Sequence, residues 1–477
     1  MSFPYCNLFQ KIITLIRTYT LFEIEVEYMN KSFNPLRRLH FYAAFFITPL
    51  LLTLSLTGIG YLFFTNVEIN IYHDEFFNDS ATKGHQSLDD AIQEIRDVYK
   101  GYDIQKISIM DEPYNNRVTI GNEDGDSRYI FLDEHNQRVA NQNAKYTYSN
   151  VLRETHSSLF VGGSFVNYLV ELAACWTIFI IISGIYLTFK SKALKPTKKK
   201  SSFLFNRRLH AIIGLIIAIP IFIIVLTGLP WSALMGKQIN QFAEDHPTIG
   251  YSALKANPPE SEDNELPWAT RTKEKPSSKK DPHAEHHGSM SNVIGADGQQ
   301  SLENIIVNAE EKGIKKPFSI VYPSDEKGVF TVSKSSNTGV TGLDVAPKEE
   351  TTAYFDQYSG KLLDKVDYDD YGIIGKWFSF GIPLHEGHLF GTANKIINLL
   401  VCLAFISGIS FGFLSWMKRK KSNSFSAPIR TSNQVPIGLI VFLVILGIAM
   451  PLFGLSLIPV AIIEFFLWKR HKKLNTV

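Results

Sequence analysis

Two stretches of this chain repeat each other: RRLHFYAAFFITPLLLTLSLTG at residues 37–58 and RRLHAIIGLIIAIPIFIIVLTG at residues 207–228. Each begins with two arginines, a leucine and a histidine, His40 or His210, and each ends with a Thr-Gly pair. A histidine at the end of a membrane helix is costly unless it is paired or ligated, so its default interpretation is functional. Two histidines at the same depth predict two axial ligands for one cofactor.

The repeated stretches belong to a set of long apolar runs. The chain has 477 residues and is 45% hydrophobic, and a membrane-spanning helix needs about 20 apolar residues. We predict six spans, the last two forming a hairpin of short helices that divides near Met450-Pro451, because prolines interrupt this region. The predicted spans are residues 31–64, 151–190, 207–235, 381–417, 435–450 and 452–468.

The distribution of charge predicts the orientation of these spans. The connecting segments 191–206 and 418–434 are rich in Lys and Arg, whereas the two long loops are net acidic. By the positive-inside rule, the basic segments and both termini are cytoplasmic and the long loops lie on the other side. Residues 1–30 form an N-terminal tail, in which Met29 is a candidate for the true start.

The sequence pattern of each long loop predicts a small α+β module, at residues 65–150 in the first loop and 299–380 in the second. In each module a capped amphipathic helix begins at Ser87 or Ser301, and alternating apolar residues after it predict strands. The predicted strands are residues 106–110, 117–121 and 128–133 in the first module and 318–322, 329–333 and 352–356 in the second. Residues 236–298 contain a linker rich in Pro, Ser, Lys and His that we predict to be disordered.

A second histidine pair, His156 and His385, precedes the second and fourth spans from the side of the long loops. An α-helix rises 1.5 Å per residue, so the two pairs are expected near opposite faces, about 30 Å apart or somewhat less. Two axial histidines per haem would give two b-type haems, and bis-histidine ligation suits electron transfer. The alternative is that the histidines pack at helix ends or reach toward the interface.

The chain has three cysteines and no C-x-x-C-H attachment motif, so any haem is held non-covalently. Glycines within the spans leave room for a flat macrocycle or let helices approach closely. They are Gly58, Gly184, Gly228 and Gly408.

Further charged and metal-ligating residues have two interpretations each. Four arginines beside the first histidine pair, Arg37, Arg38, Arg207 and Arg208, either meet haem propionates or act only as topology signals. His388 is a weaker candidate ligand, and the alternative is an interfacial histidine that faces water.

The linker histidines His283, His286 and His287, with Met290, have the chemistry of a Cu or Zn site. The sequence contains no phosphate loop, dinucleotide-binding Gly motif, catalytic triad order or nucleic-acid-binding face.

The chain resembles the PepSY-associated transmembrane family over about residues 32–468. The resemblance rests on the repeated Arg-Arg-Leu-His opening, the second histidine segments and the paired loop modules. Some members of this family are inner-membrane ferric-siderophore reductases. The resemblance implies an α-helical integral membrane protein with a four-helix haem-binding core, a C-terminal helical hairpin and two small periplasmic α+β PepSY-like domains. Asp133 and the turn at residues 356–360 match those domains. His40 and His210 would ligate one haem, and His156 and His385 the other.

The resemblance also implies a function. The chain would take electrons from an unidentified cytoplasmic or membrane donor through two bis-histidine b haems. It would reduce a ferric siderophore or another ferric complex at the periplasmic face of the inner membrane during iron uptake. The alternatives are a PepSY-type protein that binds or regulates an envelope protease, and a copper- or metal-handling membrane protein that uses the linker.

Overall fold

The computed structural model of this chain describes most of the predicted spans and both loop modules. The described residues are 35–77, 84–191, 193–195, 201–246, 248–250, 293–325, 327–336, 345–419 and 435–474. The predicted N-terminal tail with Met29 and the linker histidines His283, His286 and His287 lie outside these ranges.

Thirteen helices, α1 to α13 in chain order, account for most of the described residues. Their bounds are Pro35–Tyr61, Phe64–Ile71, His73–Phe77, Leu88–Val98, Tyr148–Ser158, Ser164–Lys190, Ser202–Gly228, Leu234–Asp245, Leu302–Glu311, Ile373–Glu386, Gly391–Arg419, Ile437–Ala449 and Pro451–Leu474.

Four of these helices, α1, α6, α7 and α11, are long and apolar enough to cross a membrane. The shortest of them contain 27 residues, which at 1.5 Å per residue is roughly 40 Å and exceeds the hydrocarbon thickness of about 30 Å. Their sequences are apolar around most of the helix, as expected of a surface in contact with lipid. The prediction of a membrane protein is confirmed.

The predicted fifth and sixth spans form the shorter apolar helices α12 and α13. The 13 residues of α12 reach only about 20 Å, less than the hydrocarbon core. The helices meet at Met450 and pack closely, because a Cβ added to Gly447 would lie 3.2 Å from the Cα atom of Gly454. The described residues therefore contain four apolar helices long enough to span a membrane and a hairpin of α12 with α13, in which the apolar part of α13 is Pro451–Phe466.

The chain divides into two compact units, both discontinuous in sequence. The helical unit comprises the described residues within 1–55, 168–225 and 403–477, and the sheet unit comprises those within 56–167 and 226–402.

Within the helical unit, the hairpin is joined to the spans by an ion pair and by an aromatic cluster. Arg38 Nη2 on α1 lies 2.9 Å from Glu464 Oε1 on α13. Trp176 on α6 donates its indole N–H to Ser456 Oγ (3.0 Å) and packs against the fully buried Phe453. These contacts attach the hairpin to α1 and α6.

The sheet unit contains one continuous antiparallel sheet rather than two separate modules. Its strands, β1 to β8, are Asp103–Ile109, Asn116–Gly121, Ser127–Leu132, Arg138–Asn143, Phe318–Val321, Val329–Lys334, Thr351–Asp356 and Leu362–Asp367. They follow the order β4-β3-β2-β1-β5-β6-β7-β8. Each module supplies four strands, and β1 pairs with β5 through Ile107 opposite Ile320. Joining the modules removes two open sheet edges, which are prone to unwanted pairing.

Helices α4 and α9 share one hydrophobic core with the sheet and cap each other. Ser87 and Ser301 accept the backbone N–H groups of the residues three positions later, which confirms both predicted helix starts. In addition, Glu303 on α9 accepts the N–H of Leu88, and Asp89 on α4 accepts the N–H of Leu302. Each helix thus supplies an acidic side chain to a free N–H group of the other helix, where negative charge is favoured.

The strands β4 and β8 were missed by the prediction because they lie at the two edges of the sheet and lack an alternating apolar pattern. The turn before each edge strand is formed by an aspartate. Asp133 accepts the N–H groups of His135 and Gln137, and Asp356 accepts those of Tyr358 and Ser359. These two aspartates therefore have turn-forming roles at matching positions.

His156 and His385 do not lie on the spanning helices. They lie near the ends of the separate helices α5 and α10, which precede the spans α6 and α11. The residues that cap the C-terminal ends of α5 and α10 are Leu159 and Gly387. Both adopt the left-handed conformation, with φ of 53° and 88°. A left-handed residue ends a helix because it turns the chain out of the helical path. The predicted spans 151–190 and 381–417 are therefore each divided into two helices.

Candidate functional site

The structure pairs the four predicted histidines as two sites, one in each unit. We call His156 and His385 the sheet-end pair, because both helices that carry them follow the sheet strands. The centres of their rings are 6.1 Å apart and the ring planes are inclined by 78°. Both residues are partly buried. The sheet-end histidines, 229 residues apart in sequence (385 − 156), are thus direct neighbours.

The Thr-Gly pairs of the repeated stretch hold the sheet-end histidines. Thr57 Oγ1 lies 3.0 Å from His156 Nδ1, and Thr227 Oγ1 lies 3.4 Å from His385 Nδ1. This threonine stands at the same place in both repeats, but its role was not predicted from the sequence. Its constant distance from the arginine-leucine-histidine opening was the available signal. The two hydrogen bonds join corresponding residues in the two halves of the chain.

The glycine after each threonine leaves space for the same ring. A Cβ added to Gly58 would lie 3.7 Å from His156 Cε1, and one added to Gly228 would lie 3.0 Å from His385 Cε1. A side chain at Gly228 would therefore press on the imidazole. These glycines accommodate histidine rings, a role that differs from both sequence interpretations.

The end of α10 is fixed by Asn398 on α11. Its amide donates to the carbonyl oxygens of Leu384 (2.8 Å) and His385 (3.1 Å). The last carbonyl groups of a helix have no partner within the helix, so a side-chain donor stabilises the helix end. Asn398 is 5% exposed, and its two bonds hold the backbone of the histidine itself.

We call His40 and His210 the basic-end pair, because arginines precede each of them. His40 Nδ1 lies 2.8 Å from Ser183 Oγ on α6. The next residue, Gly184, would bring a Cβ within 3.3 Å of His40 Cε1. His40 and His210 lie within electrostatic range of each other. A hydroxyl and an adjacent glycine therefore support His40, as they support the sheet-end histidines.

His210 has a different partner. Its Nδ1 lies 2.8 Å from the carbonyl oxygen of Gly408 on α11, and a Cβ at Gly412 would lie 3.1 Å from the same nitrogen. A carbonyl oxygen only accepts, so Nδ1 carries the proton and Nε2 keeps its lone pair. This tautomer is the one that presents Nε2 to a metal.

All four histidines thus have Nδ1 bonded to the protein, as metal-ligating histidines almost always do. The described residues contain no group of three or more His, Cys, Asp or Glu side chains that could hold a metal ion. A structural zinc site takes four protein ligands, whereas a haem supplies its own macrocycle and takes axial ligands from the protein. Two imidazoles per site match the second requirement.

The arginines of the basic end have different environments. Arg38 donates to Glu464 and to the hydroxyl of Tyr42 (3.0 Å), and Arg207 donates to the carbonyl of Ser191 (3.3 Å). Arg37 lies within electrostatic range of Arg207 and of Arg419.

Arg419, at the end of α11, was not predicted from the sequence, and its guanidinium lies 5.5 Å from the ring centre of Phe41. Arg208 is exposed. Arg37, Arg207 and Arg419 therefore concentrate positive charge at the basic end, where they favour an anion.

His388 was expected to face water if it was not a ligand, and this expectation is wrong. The residue is 6% exposed, and its Nε2 lies 3.2 Å from Glu386 Oε2. It follows the left-handed end of α10, where the chain turns back toward the protein. His388 pairs with a carboxylate that is itself largely buried.

Comparison with known proteins identifies the family. The model of the PepSY-associated TM region matches residues 37–419, which include all four histidines and every strand of the sheet. No curated protein matches the chain. The match covers 383 of the 477 residues (419 − 37 + 1), so the chain belongs to the family of the PepSY-associated TM region.

Proposed function

We propose that this chain is an inner-membrane di-haem b protein that reduces ferric siderophores or other ferric complexes at the periplasmic face during iron uptake. One observation carries the proposal: both sheet-end histidines are held at Nδ1 by the threonine that ends each repeated stretch. Ligating histidines need such support, because the bond at one ring nitrogen orients the other nitrogen toward the metal.

The proximity of the sheet-end rings also supports a shared cofactor. His156 and His385 would hold one b-type haem together, because such a haem takes its iron ligands from the protein. The centres of the two rings are 6.1 Å apart. When bound between two imidazoles, a b-type haem carries one electron at a time and has no open iron position, which suits electron transfer.

The residues around the rings have separate tasks in this proposal. Thr57 and Thr227 orient the sheet-end imidazoles, and the Gly408 carbonyl fixes the tautomer of His210. Arg37 and Arg207 would bind the carboxylates of haem propionates, with Arg419 as a third positive charge. Arg38 is already bonded to Glu464, so it contributes mainly by anchoring α13.

Charge and the family resemblance support a direction of electron flow. The basic segments beside the first histidine pair favour a cytoplasmic location by the positive-inside rule, which would put the sheet and the sheet-end pair on the periplasmic side. Electrons would then enter at the basic end from a cytoplasmic or membrane donor. The resemblance to ferric-siderophore reductases supports a ferric complex as the acceptor, and its reduction releases iron because oxygen donors bind ferrous ion more weakly.

The test is reoxidation of the reduced protein by a ferric complex. Purified full-length protein in detergent is reduced with dithionite, freed of excess reductant and mixed with a ferric trihydroxamate. We expect the low-spin b-haem absorption bands to return to their oxidised form while a ferrous-specific chelator traps iron. The gallium complex of the same ligand is the matched control, because gallium(III) cannot accept the electron.

Reduced haem that remains unchanged with the ferric complex would contradict the assigned acceptor. Haem-free protein from haem-replete cells would contradict the whole proposal and favour a PepSY-type protein that binds an envelope protease. Deletion of residues 281–290 tests the copper-handling alternative, which requires the metal content of the protein to fall.

A further inference from the structure

A buried carboxylate lies beside the helix that carries His385. Glu350, between a turn of 3₁₀ helix at Pro347–Glu349 and strand β7, is 3% exposed. It accepts hydrogen bonds from the backbone N–H of Ser336 (3.3 Å), from the Ser336 hydroxyl and from the Ser379 hydroxyl (2.7 Å). Burial raises the pKa of this carboxyl above its ordinary value, and the serine donors oppose that shift.

These partners come from three parts of the sheet unit. Ser336 follows β6, Glu350 precedes β7, and Ser379 lies on α10 six residues before His385. The backbone N–H of Tyr368 also donates to the Glu350 carbonyl (3.0 Å). The buried side chain of Tyr371, directly before α10, faces the same carboxylate. Glu350 therefore connects the second half of the sheet to α10.

The hydrogen bonds of this network fix the orientation of α10 more than they stabilise the fold as a whole. A buried ion is costly, and well-packed apolar side chains often stabilise a fold as well or better. A carboxylate that accepts several directed bonds instead fixes the elements that supply the donors. Here the donor on α10 is Ser379, which is fully buried, so rotation of α10 about its axis would break the bond.

The first half of the chain has a counterpart at α5. Glu68 on α2, 9% exposed, accepts the backbone N–H of Ser149 in the first turn of α5 (2.8 Å). α5 carries His156. Each helix of the sheet-end pair is therefore held by one largely buried carboxylate, but at a helix start in one case and at a side chain in the middle of the helix in the other.

We infer that Glu350 is a positioning residue for the sheet-end site, which sets the orientation of His385 through Ser379, and that Glu68 does the same for His156 through the start of α5. The inference rests on the proposed haem ligation. Because both carboxylates act through α5 and α10, their effect is confined to the sheet-end haem. A ligand that displaces the second half of the sheet would therefore alter the environment of the sheet-end haem.

The test uses the oxidised full-length holoprotein and its two low-spin haem signals in electron paramagnetic resonance. His385→Ala assigns the sheet-end signal and His40→Ala assigns the other. In Glu350→Gln, where one accepting carboxylate oxygen is replaced by an N–H₂ group that only donates, we expect the sheet-end signal to shift and the basic-end signal to stay. Ser379→Ala, which removes one bond and keeps the carboxylate, gives a smaller shift of the same signal if Glu350→Gln fails to fold.

Glu349→Gln is the matched control, because this neighbouring carboxylate is 55% exposed, and its loose pairing with Lys334 (3.9 Å) and its bond from the Ala346 N–H (3.1 Å) do not involve α10. It should move neither signal. Two unshifted signals in both Glu350→Gln and Ser379→Ala would overturn the positioning role and leave haem ligation intact. Equal shifts of both signals would also overturn it, as a general structural effect. Wild-type protein without haem would overturn the proposed function together with this inference.

Discussion

The sheet-end and basic-end histidine pairs differ in how closely they follow the internal repeat. At the sheet end, both histidines bond the hydroxyl of the same repeated threonine. At the basic end, His40 bonds a serine hydroxyl and His210 bonds a backbone carbonyl. A hydroxyl can donate or accept, whereas a carbonyl only accepts. The tautomer is therefore fixed by the backbone at His210 alone, and side chains control the other three rings.

The largest expected effect comes from the side-chain control of the sheet-end pair. Thr57→Val removes the 3.0 Å bond to His156 while keeping the shape of the side chain. Loss of an outer-shell partner typically costs 10–100-fold in metal affinity, so we expect the sheet-end haem to be lost about 10–100-fold more readily on dilution or competition with apomyoglobin. Thr227→Val should have a smaller effect, because its bond measures 3.4 Å.

The matched control for these valine variants is Thr53→Val, on the same helix as Thr57. Thr53 is partly buried, and its hydroxyl donates to the carbonyl of Pro49 within α1. It should keep both haems. Loss of the basic-end haem in Thr57→Val, with retention of the sheet-end haem, would contradict the assignment.

A smaller effect is expected from substitution of the repeated glycines, and it should differ between the two histidines of the sheet-end pair. In Gly228→Ala the new Cβ would lie 3.0 Å from His385, whereas in Gly58→Ala it would lie 3.7 Å from His156, an ordinary contact. Overpacking of roughly 1 kcal/mol would weaken haem binding about fivefold in Gly228→Ala only. Haem titration of the apoprotein measures both variants, and equal affinities would contradict the placement of the rings.

The smallest expected effect is a pH dependence of the stability of the sheet unit, which arises from Asp89 and not from a histidine. Burial, followed by the bond and charge of Glu303, raises the pKa of Asp89 to about 6. A folded-state pKa above the ordinary value of 3.8 means that folding favours the protonated acid. The stabilisation is therefore complete below about pH 4 and is lost as pH rises through 6.

Thermal unfolding between pH 4 and pH 8 measures this effect. Because Asp89 is partly exposed, we expect at most about 1 kcal/mol over this range after screening by solvent. Asp89→Asn, which resembles the protonated acid, should flatten the dependence. Asp90→Asn, next to it in α4, should not. A sheet that becomes more stable as pH rises in wild type but not in Asp89→Asn would contradict the raised pKa of Asp89.

Much of this arrangement could be predicted from local patterns. The apolar runs, the serine caps of α4 and α9 and the histidines at matched positions are each encoded within a few residues. The roles of Thr57 and Thr227 were not predicted, because their partners lie 99 and 158 residues away. The same limit applies to the pairing of β1 with β5, which depends on contacts between modules. The edge strands were missed because an edge does not require apolar alternation.

The central claim is that each histidine pair binds one haem. The direct measurement is a pyridine haemochrome assay of haem per chain in wild type, in His156→Ala/His385→Ala and in His40→Ala/His210→Ala, with His388→Ala as the control. We predict two haems in wild type and in the control, and one in each double variant, with a different low-spin signal lost from each. A single haem in wild type, or a double variant that retains two, would contradict the account.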